Sequence, residues 1–337
     1  MQNRYAAILP HTKIFGGVKR FLDLGNIFIS RGIDFVIFTP TAEEPDWFDF
    51  KGKIDKIENI HHYQLDILFL TEYEYIRELH KADARLKVYY CVLEIKILSK
   101  LVKEKGIDIF VNSESLYQHL RKKYGVTPFK AIGGIDTDKF SFQPVTVKEK
   151  KDVFYVMVYG RFYIKRKGTM KVVKACERLY RNGYNIHLLL FDTPTDARAM
   201  EKVKNFKCGL PFTFYIDHPV EKLADLYHEA DLFVSAERRA GWSNTSIEAM
   251  SCGVPVVGTT SGTKNFLIDD QTGLVVWRHS YFIQRAIKKM INDNPLRKRF
   301  SEAGRNKVHE FSWKALATCI QEFVQNSLGN KARANNA

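Results

Sequence analysis

Cysteine is scarce. The 337 residues contain five, an odd number scattered as Cys91, Cys176, Cys208, Cys252 and Cys319. No CxxC pair and no Cys/His cluster occurs, which argues against a disulfide scaffold and a structural zinc site and fits a reduced, cytoplasmic setting. No apolar run approaches the roughly 18 residues that a bilayer-spanning helix needs. The N-terminal MQNRYAAILPH has neither a basic n-region nor a long apolar h-region, so no signal peptide is expected. Walker A, HRD and DFG sequences are missing, which counts against phosphoryl transfer from ATP. There is no GxSxG nucleophile elbow and no Ser/His/Asp arrangement. Zinc fingers, an RNP-like aromatic strand and a GxxG clamp are also missing, so nucleic acid is not an expected partner.

Positive charge, by contrast, is abundant. The formal net charge is +14, with much of it in Lys148–Lys174 and Arg278–Lys307. A basic solvated face, attraction to an anionic membrane surface and binding of anionic small substrates all fit such a balance. At 45% hydrophobic and 27% charged residues the composition is globular, and the length suits two domains.

The most informative stretch is Ala230–Val276, ADLFVSAERRAGWSNTSIEAMSCGVPVVGTTSGTKNFLIDDQTGLVV. Leu232–Ser235 reads as a strand, Gly241–Thr245 as a polar turn and Ser246–Cys252 as a helix that Gly253 stops. Val254–Val257 reads as the next strand and Gly258–Gly262 as a second polar loop. This is βαβ grammar, the signature of a parallel sheet. Such sheets bind ligands beyond the carboxyl ends of their strands, where a loop entering a helix N-terminus suits an anion. Both loops are therefore expected on one rim.

The same grammar runs through the chain. Tyr5–Leu9 is an expected strand, Val18–Ser30 a helix ended by Gly32, and Phe35–Phe38 a strand. Gly16 and Gly17 at the helix start suit close approach of a ligand or a tight turn; they are not part of a GxGxxG fingerprint. Ile67–Leu70, Lys87–Val92 and Ile109–Val111 are further strands. Tyr73–Lys81 and Leu93–Lys105 are expected helices, and another follows the cap Asn112-Ser113. The first domain is placed at residues 1–143. Residues 141–151, with a proline and a charged run, have linker composition. The second domain, residues 152–310, repeats the pattern through Val153–Tyr159, the loop Gly160–Gly168, the helix Thr169–Tyr180 and the strand Asn185–Phe191. Phe311–Phe323 is a last amphipathic helix, and residues 329–337 read as a frayed tail. The expected class is α/β with two Rossmann-like domains and a cleft between them.

Arg161 and Lys167 stand in GRFYIKRKG, after a strand and before a helix. A guanidinium fork and an ammonium beside a helix N-terminus can clamp a diphosphate; a solvated basic turn is the plainer alternative. Glu248, behind the polar loop, can accept two hydrogen bonds from a ribose diol. Glu237 precedes the loop at the expected mouth of the site. His11 follows the first strand, and His61-His62 falls in an expected loop; a lone histidine at such a place is more often structural.

Four segments in order carry a resemblance: FGGVKRFLDLGNIFISRGIDFVIFTP, GGIDTDKF, GRFYIKRKG, and GWSNTSIEAMSCGVPVVGTTSGTKNFLIDDQTGLVV. Across nearly its whole length the chain resembles the family 4 glycosyltransferases, retaining enzymes of the GT-B fold. Its GWSN variant is similar to a subgroup that includes rhamnosyltransferases and polysaccharide-assembly enzymes. The resemblance implies two facing parallel-sheet domains, the second binding a nucleotide-diphosphate sugar and the first holding most of a glycan or lipid-linked acceptor site. It implies that the last helix, near 311–328, completes the first domain. It assigns the donor diphosphate to Arg161 and Lys167, the ribose to Glu248, and close approach to the phosphates to Gly16 and Gly17. Gly241, Asn244 and Thr245 fall in the loop whose N–H groups meet the phosphates and sugar. The family pattern has an earlier glutamate separated from Glu248 by seven intervening residues. That position is Ala240 here, and Glu237 is the candidate substitute. Many members have a histidine near Tyr89-Tyr90-Cys91, where this chain has none. Front-face attack, with the leaving diphosphate helping to deprotonate the acceptor, needs no carboxylate nucleophile. With a basic pair at the diphosphate and no DxD-like acidic site, no metal or other cofactor is expected. A GT-B nucleotide-sugar epimerase, or an inactive module binding polyanions, is the alternative. Peripheral association with the inner membrane face is a further expectation.

Overall fold

In the computed structural model, residues 3–92, 98–143 and 153–335 are described. The chain divides into two units, residues 1–134 with 311–337, and residues 135–310. Each is built on one wholly parallel sheet.

The first unit contains β1 (Arg4–Ile8), α1 (Gly16–Ser30), β2 (Asp34–Thr39), β3 (Lys53–Lys56), β4 (Leu65–Leu70), α2 (Ile76–Lys81), β5 (Ala84–Cys91), α3 (Leu98–Leu101), β6 (Asp108–Val111), α4 (Glu114–Tyr124) and β7 (Phe129–Lys130). Its strand order is β3-β2-β1-β4-β5-β6-β7. Strands this apolar on both faces require helices on both faces. One face buries Phe21, Phe69, Tyr90 and Phe110 in a continuous aromatic core. Ser113 caps α4 by accepting from the Leu116 N–H at 3.4 Å, and Gly125 ends it in the left-handed region at φ +70°.

The second unit contains β8 (Phe154–Tyr159), α5 (Thr169–Arg181), β9 (Ile186–Asp192), α6 (Ala197–Lys204), β10 (Phe212–Ile216), α7 (Leu223–His228), β11 (Leu232–Ser235), α8 (Asn244–Ser251), β12 (Val256–Gly258), β13 (Leu274–Val275), α9 (Ser280–Asn292) and α10 (Asn294–Val308). Its order is β10-β9-β8-β11-β12-β13. The final helix, α11 (Trp313–Asn335), returns to the first unit. There Trp313, Leu316, Ala317, Ile320 and Val324 enter the aromatic core.

Several expectations are corrected. The unit boundary falls at Gly134–Ile135, not near residue 143. Residues 135–143 pack on the second unit: the Phe140 carbonyl accepts from Ser251 Oγ at 2.7 Å, and the Gln143 N–H donates to the Cys252 carbonyl at 3.4 Å. Thus 141–143 are not free linker, and 144–152 lie outside the described residues. The tail at 329–335 is helical, since α11 runs to Asn335; Lys331, Ala332 and Arg333 are good helix formers. The helix expected over Leu93–Lys105 is described only as Leu98–Leu101, with 93–97 outside the described residues. Tyr73–Tyr75 forms a 3₁₀ turn ahead of α2, and His61-His62 ends another such turn.

Candidate active site at the rim of the second sheet

In the second sheet, β8 lies between β9 and β11. The chain leaves β8 toward one edge and leaves β11 toward the other. The loops after β8 and β11 therefore flank the topological switch point, where open parallel sheets bind ligands. Arg161 and Lys167 stand in the first loop; Glu237, Gly241 and Ser243 stand in the second.

Backbone contacts lock these loops together. The Arg238 N–H donates to the Arg166 carbonyl at 2.8 Å. Gly168 has φ +75°, and a Cβ there would sit 2.1 Å from the Ala236 carbonyl oxygen. Glycine at 168 is thus required twice, by conformation and by close approach. The loop after β12 joins the same rim. Ser261 Oγ accepts from the Ala240 N–H at 2.8 Å, the Gly262 carbonyl accepts from the Ser243 N–H at 2.9 Å, and Thr259 Oγ1 donates to the Glu237 carbonyl at 2.7 Å.

Arg161 is held from behind. Its Nε donates to Asp192 Oδ1 at 3.0 Å and its Nη2 to the Thr193 carbonyl at 2.8 Å. Asp192 ends β9, and its side chain is fully buried. Its second oxygen accepts from Tyr163 Oη at 2.7 Å. Burial opposes the charge on Arg161, but Tyr159 and Asp192 outweigh it and the net pKa shift is upward. Burial, then the bond to Asp192, pushes Tyr163 up to about 12. Lys167 donates its Nζ to Glu237 Oε1, a pair whose side chains are 22% and 8% exposed. Both cations lie over the Tyr159 ring, Arg161 at 5.3 Å and Lys167 at 5.1 Å from its centroid. One aromatic ring thus contacts both cations.

Asn244 and Thr245, expected in the polar turn, form the first turn of α8 instead. Ser243 and Ser246 share a hydrogen bond at 2.8 Å between their hydroxyls. The N–H groups and dipole of this helix end favour an anion. Glu248 lies one turn further on, and its Oε2 accepts from Tyr227 Oη at 2.9 Å. Tyr227 is fully buried, so it fixes the carboxylate's orientation.

Arg278 had no sequence signal. Its Nε donates to the Ala236 carbonyl at 2.7 Å and its Nη2 to the Lys165 carbonyl at 2.6 Å, bracing both loops. Asp192 was also missed; an acid ending a strand on the same rim was the available clue.

Gly16 and Gly17 open α1 in the first unit. Neither has positive φ, so a left-handed turn does not explain them. A Cβ on Gly17 would meet nothing within 4 Å, so packing inside the unit does not require glycine there either. His11 lies beside Phe15, ring centroids 5.0 Å apart. Among the described residues, no His/Cys/Asp/Glu group could hold a metal ion, and no helix is long and apolar enough to cross a membrane.

The model of the family described as "Glycosyl transferases group 1" matches residues 137–307, just over half the chain. CapM of Staphylococcus aureus, a capsular polysaccharide biosynthesis glycosyltransferase, is 28% identical over 253 residues, covering 71% of this chain. The alignment spans 64% of the length of CapM, a little under two thirds. Sucrose-phosphate synthase from Thermosynechococcus elongatus has a TM-score of 0.80 at 18% identity, covering 98% of this chain and 100% of that one. HepE from Anabaena, solved in complex with UDP-glucose, has a TM-score of 0.73 at 14% identity, covering 96% and 99%. These likenesses establish the GT-B fold.

Proposed function

This chain belongs to the group 1 glycosyl transferases, and on that premise we propose that it transfers a sugar from a nucleotide-diphosphate sugar to a hydroxyl of a glycan or glycolipid acceptor, with retention of anomeric configuration. The observation that supports this reading is that Arg161 and Lys167, both beside the Tyr159 ring, stand in the loop on one side of the switch point of the second sheet, and α8 begins in the loop on the other. Two cations and a helix N-terminus on one rim suit a diphosphate better than a neutral ligand. HepE, of the same fold, was solved with UDP-glucose, and CapM is named for capsular polysaccharide biosynthesis. Both support a sugar-nucleotide donor and a glycan product; a hexose or deoxyhexose is the sugar proposed.

In this reading the bond from the anomeric carbon to the diphosphate breaks as the acceptor oxygen bonds to the same face. The acceptor proton passes to a departing diphosphate oxygen. Negative charge grows on that diphosphate, and Arg161, Lys167 and the α8 N–H groups stabilise it as it develops. Asp192 pre-orients Arg161, so little reorganisation is left for the transition state. Glu248 holds the ribose. Glu237 aligns Lys167 and stands nearest to the role lost at Ala240. No metal or other cofactor is called on.

The test is transfer itself. Purified protein is given UDP-, GDP- and dTDP-sugars with lipid-linked glycan acceptors, and the product is followed by mass spectrometry and its anomeric configuration by NMR. A glycosylated acceptor with the donor's configuration is expected. An inverted product, or free sugar released without acceptor dependence, contradicts the reading.

A further inference from the structure

The second unit carries an exposed aromatic group that the proposed donor site does not use. Trp277 is 80% exposed, Tyr281 48% and Phe282 42%. They stand at and just before the start of α9. Rings of this size are ordinarily buried. The Tyr281 and Phe282 rings are 5.4 Å apart, and the Arg285 guanidinium lies 5.8 Å from the Tyr281 centroid.

The surroundings are strongly basic. Helices α5 and α9 lie side by side and run in the same direction. Arg178 Nη1 donates to Ser280 Oγ at 3.4 Å, and further along Lys288 Nζ lies 5.7 Å from the Tyr184 ring centroid. Residues 169–181 and 277–289 together hold eight Lys or Arg and one acid, Glu177. Glu177 is turned to the Gly209 N–H at 2.9 Å. Lys289 is drawn toward Asp270 at 3.9 Å. Lys174, Arg178, Arg181, Arg285 and Lys288 remain exposed, with Met170 at 38% and Tyr180 at 38% exposure among them.

We propose that this face, α5 and α9 with the Trp277 turn, docks on an anionic lipid surface. Trp, Tyr and Phe at the front of a cationic helical face are the residues that enter the interfacial zone of a bilayer. The flanking Lys and Arg draw the face to anionic headgroups. Phe282 and Met170 offer apolar surface and no hydrogen-bonding group with which to read a base, which favours lipid over nucleic acid. Arg278 braces the loops that hold Arg161 and Lys167, so the docked face adjoins the candidate site. The inference does not depend on the donor reading.

The experiment is vesicle flotation with phosphatidylcholine alone or with about one third phosphatidylglycerol, at rising salt. Trp277 is much the most exposed of the chain's four tryptophans, so its emission reports insertion. Wild type is expected to float with anionic vesicles at low salt, with a blue shift and quenching by brominated lipid tails. The variant W277S/Y281S/F282S should keep its fold by circular dichroism but bind about tenfold more weakly without the blue shift. R285E/K288E should lose the low-salt binding by a similar factor. Absence of vesicle binding by wild type overturns the proposal. So does unchanged binding by the aromatic variant, or binding to single-stranded RNA with none to vesicles.

Discussion

Lys167 donates its ammonium to the Glu237 carboxylate, across the two loops that flank the switch point. Glu237 is 6% exposed, so Lys167 is its main compensation for lost hydration. Removing one partner of such a pair strands the other. Lys167→Met should therefore lower stability by about 3 kcal/mol. Adding Glu237→Gln should restore most of that loss but not nucleotide-diphosphate binding. Urea melts and calorimetric titration of the single and double variants separate the two roles. Wild-type nucleotide affinity in the double variant would remove Lys167 from the donor clamp.

Asp192 makes no solvent contact and fixes Arg161 through Nε. Asp192→Asn should cost about 2 kcal/mol of stability, because a buried charged hydrogen bond is weakened. The affinity for a nucleoside diphosphate should fall about tenfold as Arg161 loses its orientation. Unchanged affinity in a folded variant would show that Arg161 needs no anchor.

Gly168 and Gly183 make a matched pair. Both have positive φ, +75° and +86°, but only Gly168 has a carbonyl where a Cβ would go. Gly183→Ala should cost about 1 kcal/mol, the conformational penalty alone. Gly168→Ala should cost more and abolish nucleotide binding, because it forces the two loops apart. Equal melting temperatures for the two variants would contradict this account of the rim.

Much of this was readable in the sequence. The apolar runs of β1, β2, β8 and β9 and the glycines that close α1 and α4 follow local rules. KIDK at β3 and the two residues of β13 carry too little pattern, since such edge strands are specified by neighbours. Asp196 caps α6 by accepting from the Ala199 N–H, a signal that was present and passed over. Pro144 and the lysines after it suggested a linker, yet just before them Phe140 is buried in the second unit and Phe142 packs beside Gly253. Arg161, Lys167 and Glu248 were legible because a residue type and a strand-loop-helix context coincided. Asp192 and Arg278 act through tertiary contacts between distant segments, which no local spacing encodes.

His187 on β9 accepts or donates a hydrogen bond with Thr213 Oγ1 at 2.8 Å, and its pKa is lowered by burial. The folded state therefore binds the proton less readily than the unfolded chain. Stability attributable to His187 is complete above the unfolded value of about 6.5 and falls as pH drops through it toward the lower folded value. Urea midpoints from pH 8 to pH 5 should decline across this range in wild type, and less steeply in His187→Gln. Parallel profiles would show that His187 is not responsible.

The central claim is that the rim of the second sheet holds a nucleotide diphosphate through Arg161 and Lys167. The most direct test is a thermal-shift and calorimetric panel of UDP, GDP and dTDP with their sugars, on wild type and Arg161→Ala/Lys167→Met/Glu237→Gln. A ligand bound only by the native state must raise the melting temperature by mass action, about 2.7 kcal/mol at a hundredfold excess over Kd. The account predicts that one nucleotide family stabilises wild type selectively and leaves the folded variant unshifted. No shift from any nucleotide, or the same shift in both proteins, would contradict it.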